Sequence, residues 1–232
     1  LAVATALGTA AALVLSLPLA RLRGVYQAIA TLAFVQIVVS VALFAEGLTG
    51  GAMGVNRIPK AVDTPVLLVA VAGVVYLMVA INATRLGRAF EAIRQDEAVA
   101  SSLGVNVTRH QALAFALSGA IAGLFGGLEA FHGYAIEPNQ FGFAFLVAAL
   151  SYVVLGGRRS ILGPIVGTAV LVALPEIARP LAENRMLVYG ALLMAVIAFL
   201  PRGVVDTVLD ALRRRRIARA DAAAAGAAGG QQ

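Results

Sequence analysis

The sequence predicts an all-α, polytopic integral membrane protein, and three observations carry that expectation. Of 232 residues, 60% are hydrophobic and only 13% charged, and mean hydropathy is +0.90, far from the balance of a soluble domain. Uncharged apolar stretches long enough to cross a bilayer recur along the chain. Lysine and arginine gather in alternate connections between those stretches.

The first element follows from the backbone. A long apolar run in hydrocarbon has to pair its own N–H and C=O groups, so it is helical, and about 20 residues make a crossing. Seven runs fit or nearly fit: Leu1 to Leu19, Val25 to Phe44, Pro65 to Ile81, Ala112 to Phe131, Phe141 to Gly157, Ile161 to Ile177 and Met186 to Leu200. The last three are short. Gly156, Gly157, Gly163, Pro164 and Pro175 interrupt them, so the pair flanking Arg158 is either two tilted spans or one re-entrant hairpin. The chain starts at Leu1 inside an apolar run with no charged segment before it, which reads as an N-terminal truncation.

Orientation follows from the basic residues, because cytoplasmic connections hold an excess of them. With Leu1 outside, the cytoplasmic set is Arg21, Arg23, Arg85, Arg88, Arg94, Arg109, Arg158, Arg159, Arg202, Arg213 to Arg216 and Arg219. The outer set is only Arg57, Lys60, Arg179 and Arg185. A missed or invented span would scramble this asymmetry, so it supports the span count as well as the direction. The formal net charge of +6 is then topological and needs no nucleic acid to explain it. A transmembrane domain over 1–206 is expected, with a cytoplasmic loop at 85–110. Residues 207–232 form a basic, then Ala/Gly-rich, cytoplasmic tail expected to be disordered.

Several chemistries lack their residues. There are no cysteines, so disulfides and thiolate metal sites are excluded, and His110 and His132 are single histidines expected near opposite faces. The only lysine, Lys60, is followed by Ala61, so no Gly-rich phosphate cradle ending in Lys-Ser or Lys-Thr is present. Ser101, Ser102, Ser118, Ser151 and Ser160 have no base nearby in sequence. No enzyme chemistry and no cofactor is implied.

The loop at 85–110 is the most informative segment. Leu86, Ala89, Phe90 and Ile93 fall at i, i+3, i+4 and i+7, one apolar face of a short amphipathic helix, and Gly104 gives a stop after Leu103. Such a helix lies on the membrane or docks on another protein. Glu91, Asp96 and Glu97 would be repelled by an anionic leaflet, which favours docking.

The stretch "GRAFEAIRQDEAVASSLGVNVTRHQALAF" from Gly87 resembles the cytoplasmic coupling segment of permease subunits from branched-chain amino acid ABC importers. "RLRGVYQAIATLAF" from Arg21, "LTGGAMGV" from Leu48, "VVLGGRRSILGPIVGTAVL" from Val153, "LPEIARPL" from Leu174 and "FLPRGVV" from Phe199 agree in the same order. The resemblance covers nearly all of 15–206. It implies a bacterial inner-membrane subunit without chemistry of its own, in contact with membrane lipid. Its implied partners are a second similar permease, two cytoplasmic ATP-binding subunits and an external solute-binding protein. It also implies an ATPase contact at Arg88, Glu91, Arg94, Asp96, Glu97 and Gly104. Gln36 stands where relatives often have glutamate, and Glu129 where an aromatic residue is expected.

Polar groups inside spans are default functional candidates. Gln36, near the middle of its span, faces another helix or the substrate pathway. Glu129, near the outer end of its span, either reaches the interface or belongs to the same pathway. Gly119, Gly123 and Gly127, and Gly163 with Gly167, recur at spacing four, the pattern of close helix packing. Scarce buried charge weighs against an ion-coupled secondary carrier, the alternative from another class. The same machine carrying urea or short amides is the nearer alternative.

Overall fold

In the computed structural model the described residues are 1–20, 22, 24–157, 160–177 and 194. The run Met186 to Leu200 and the tail at 207–232 lie outside them, apart from a helical Met194.

The apolar runs are helices with nearly the expected bounds: α1 (Ala2–Leu19), α2 (Val25–Phe44), a single turn α3 (Glu46–Thr49) and α4 (Thr64–Ala83). The polar loop folds as α5 (Arg85–Gln95) and α6 (Glu97–Ser102), followed by α7 (Val107–Gly133). Helices α8 (Phe143–Gly156) and α9 (Gly163–Ile177) complete the described chain. Two-residue strands β1 (Val55–Asn56) and β2 (Ala135–Ile136) pair antiparallel, Val55 opposite Ile136. Five segments are long and apolar enough to cross a membrane: α1, α2, α4, α7 and 138–156. The chain divides into two compact units, Leu1–Phe145 and Leu146–Gln232.

In the first unit, α1 and α7 run antiparallel in backbone contact. A methyl added at Gly8 would lie 2.5 Å from the Gly119 carbonyl oxygen and 2.9 Å from Gly123 Cα. One added at Gly123 would strike the Ala4 carbonyl, and one at Gly127 would meet the Ala4 Cβ at 3.1 Å. With no hydrophobic drive between helices in lipid, such close approach gains dispersion contacts that larger side chains would block. No residue of α2 or α4 is buried, and the few buried apolar side chains of this unit include Leu19, Val62 and Leu128. Apolar faces left bare at this scale fit a lipid solvent or a further chain, not water.

The antiparallel pair fixes the sides. The end of α1, the turn to α2, and α5 and α6 lie at one end of the unit, where Glu97, Ala98 and Ser101 share a cleft with Ala20, Leu22 and Gly24. The opposite end holds β1 and β2. There Ile58 N–H donates to Tyr134 O (3.2 Å), Ala61 N–H to Phe131 O (3.2 Å) and His132 Nδ1–H to Val62 O (3.0 Å). The cation-rich connections of the first unit therefore share one end, as the charge asymmetry requires.

In the second unit, a methyl on Gly156 would strike the Gly163 carbonyl, and one on Gly167 would strike the Tyr152 carbonyl, so α8 and α9 fold back through glycines. At 1.5 Å per residue, their 14 and 15 residues rise only about 21 and 22 Å, against about 30 Å of hydrocarbon.

Candidate functional site

The 85–110 segment is an elbow of two helices, where one amphipathic helix ending near Leu103 was expected. Asp96 breaks the run. Its carboxylate accepts from Ala98 N–H (2.8 Å) and Val99 N–H (3.1 Å), capping α6 with two otherwise unpaired donors. Its backbone is extended, at φ −159°, which a continuous helix forbids.

Glycines shape both ends of the elbow. Gly87 is buried, and a methyl there would lie 2.5 Å from Asn82 Cα, so α5 can fold back tightly on the end of α4 only with glycine. Gly104 has φ +83°, and its N–H donates to Ser101 O (3.0 Å) while Val105 N–H donates to Ala100 O (3.1 Å). These two bonds close the helix C-terminus in a Schellman arrangement, for which left-handed backbone is required.

The elbow is fastened to α7 on one face and charged on the other. Phe90 and His110 meet edge to face, with ring centroids 6.0 Å apart and planes at 88°. His110 Nδ1–H also donates to Asn106 O (2.8 Å), which fixes the ring. Gln111 Nε2 donates to Glu97 Oε1 (3.3 Å), a second tie from α6 to α7. On the exposed face, Arg94 pairs with Glu91 at 2.5 Å, Gln95 donates to the same carboxylate (3.3 Å), and Arg88 reaches Ala83 O at 3.5 Å. The Arg94 and Glu91 side chains are about half exposed (47% and 48%), so the pair is worth under about 1 kcal/mol and chiefly presents a mixed-sign surface.

The six residues expected at an ATPase contact thus divide. Arg88, Glu91 and Arg94 lie on the exposed face of α5; Asp96 and Gly104 build the elbow; Glu97 is tied to α7. Sequence reasoning missed Gly87, Asn106 and the small residues of α1. A glycine inside an amphipathic helix, and an Asn three residues before Arg109, were the available signals. Asn106 Oδ1 accepts from Arg109 N–H (3.0 Å), so α7 starts before its apolar run, five residues ahead of Ala112.

Gln36 is exposed on α2, and Glu129 is exposed on α7, with its Oε1 3.6 Å from where a Gly133 methyl would stand. Among the described residues, no group of three or more His, Asp or Glu is placed to hold a metal ion. A cleft of about 770 Å³ lies beside the elbow, bounded by Gln27, Asn106 and Gln111 among others.

A set of apolar helices with one capped, mixed-charge elbow at the cation-rich end defines a multi-pass membrane protein. The chain belongs to the family "Branched-chain amino acid transport system / permease component", whose model matches residues 1–197. It is 34% identical over 238 residues to the high-affinity branched-chain amino acid transport system permease protein LivM of Salmonella typhimurium (strain LT2), covering 88% of this chain and 56% of that protein. It is 33% identical over 247 residues to LivM of Escherichia coli (strain K12), covering 92% and 58%. The permease protein LivH of the same Salmonella strain is 32% identical over 130 residues, covering 55% and 42%. The chain therefore spans little more than half the length of the LivM proteins it matches. No solved structure matches it.

Proposed function

We propose that the protein is the transmembrane permease subunit of an ATP-driven importer for branched-chain or related small amino acids, acting in the bacterial inner membrane. It works with a second similar permease, two cytoplasmic ATP-binding subunits and an external solute-binding protein. The hydrolysis belongs to the partners. Kinship with LivM and LivH, named as branched-chain amino acid permeases, supports the cargo class.

The observation that carries the mechanism is the double tie of the elbow to α7, through Phe90–His110 and Glu97–Gln111. Arg88, Glu91 and Arg94 offer the ATPase subunits a charged face, while the ties pass its displacement to α7. Because α7 meets α1 backbone to backbone, the two helices move as one body. Closure of the ATPases on ATP then rocks that body and exchanges access between the two sides.

Reconstitution of the complete complex in proteoliposomes tests the proposal. ATP with liganded binding protein should drive leucine, isoleucine or valine uptake. Uptake by the full-length permease alone, driven by an ion gradient without ATP, would replace this reading with an ion-coupled carrier.

A further inference from the structure

At the end of the first unit opposite the elbow, the backbone is strained. The ladder pairs Val55 with Ile136 and Asn56 with Ala135, so Arg57 and Tyr134 come next on the two strands. Both are left-handed, at φ +65° and +68°, and they are the two non-glycine residues with positive φ among the described residues. Asparagine tolerates that conformation better than most side chains, yet Asn56 stands one position short of it. Left-handed backbone at ordinary residues persists only where the surroundings over-determine it, and it gathers at binding and switching sites.

Here the surroundings form a clasp. A methyl on Gly54 would strike the Ile136 carbonyl, Ile58 and Ala61 donate their N–H groups to Tyr134 O and Phe131 O, and His132 Nδ1–H holds the carbonyl of buried Val62. What the clasp presents outward is Arg57, Lys60 and Tyr134, all exposed. Neither cation is in an ion pair among the described residues, although Asp63 and Glu137 flank the clasp in sequence. Arg and Tyr held in place are the residue types that carry most protein–protein binding energy, because little freedom is left to lose on docking. A guanidinium takes a carboxylate in two parallel hydrogen bonds. A lipid headgroup asks for none of this, since snorkelling side chains on a loose loop reach phosphate as well. The clasp is bonded to the last turn of α7, whose first turns carry the elbow, so a partner seated there bears on the helix that joins the two ends.

We infer that Arg57, Lys60 and Tyr134 form the docking surface for an acidic face of the external solute-binding protein. The inference rests on the transport reading above, which names that partner without placing it. Arg57 and Lys60 pair with carboxylates of the receptor, and Tyr134 adds a rigid ring with a polar tip. The strained backbone fixes their spacing before the receptor arrives.

The test measures binding of the leucine-loaded receptor to the complete transporter in bilayer discs, beside leucine uptake by the same complex in proteoliposomes. Arg57→Glu and Lys60→Glu should each weaken receptor binding about tenfold, and the parent affinity should fall as salt rises. Arg57→Gly removes the guanidinium and relieves the left-handed strain, so it should melt no lower than the parent and still dock several-fold more weakly. A receptor variant with one acidic residue changed to lysine should restore binding to Arg57→Glu. Parent-like receptor binding by both Arg57→Glu and Arg57→Gly overturns the assignment. So does unchanged receptor binding with a new dependence on the phosphatidylglycerol content of the bilayer, which would make the clasp a lipid anchor. If the parent complex imports leucine with ATP in those runs, only the docking surface falls. If it does not, the transport reading falls with it.

Discussion

Gly8 and Gly123 face each other across the α1–α7 contact so closely that a methyl on Gly8 would lie 2.9 Å from Gly123 Cα. The obstructing atoms are backbone and cannot rotate away. Gly8→Ala, Gly119→Ala and Gly123→Ala should each push the helices apart and destabilise the protein by about 1–3 kcal/mol. Gly126 shares the helix, but nothing lies within 4 Å of its added Cβ, so Gly126→Ala should leave stability unchanged or slightly raised. Thermal unfolding in detergent separates the two classes. Equal effects at Gly123 and Gly126 would refute the backbone contact.

Asp96→Ala removes both bonds that start α6 and should cost about 1 kcal/mol locally. That corresponds to roughly fivefold faster amide exchange at Ala98 and Val99. Asp96→Ser, which also caps, should restore most of the protection. Unaltered exchange in Asp96→Ala would show that α6 stands without its cap.

Gly104 has open space around an added Cβ, so its requirement is conformational. Gly104→Val should cost more than the roughly 1–2 kcal/mol of an ordinary residue in left-handed backbone, and Gly104→Asn less. Melting temperatures should rank Gly, Asn, Ala, Val in falling order. A valine variant as stable as the parent would mean that the turn can close another way.

Phe90→Ala deletes the ring that joins α5 to α7, an edge contact worth about 0.5–1.5 kcal/mol besides its packing. In the assembled transporter, ATP hydrolysis should persist while uptake falls several-fold, with Phe90→Tyr near the parent value. Uptake and hydrolysis falling together would assign Phe90 to stability and not to coupling.

The spans were legible because hydrocarbon leaves a long apolar run no choice but helix, and α1 and α2 end where their runs end. The helix α7 starts ahead of its apolar run, because Thr108 to Gln111 is polar. Asn106 caps it there, and composition registers only the greasy part. The break at Asp96 was hidden for the opposite reason: the apolar spacing from Leu86 to Ile93 fits a helix, and one extended residue then ends it. Glycines on α7 announced close packing, but their partners Ala4, Gly8 and Ala12 lie more than a hundred residues away. No local pattern pairs them. The tie of Glu97 to Gln111 was not legible either, since it depends on how α6 folds back, which spacing does not encode.

Sidedness of the elbow is the most direct test, since an ATPase can push it only from the cytoplasm. In the cysteine-free chain, Arg88→Cys and Lys60→Cys are probed with an impermeant maleimide on intact cells and again after permeabilisation. The Lys60→Cys variant should label in intact cells and the Arg88→Cys variant only once the membrane is opened. Labelling of Arg88→Cys on intact cells would contradict the topology and the coupling built on it.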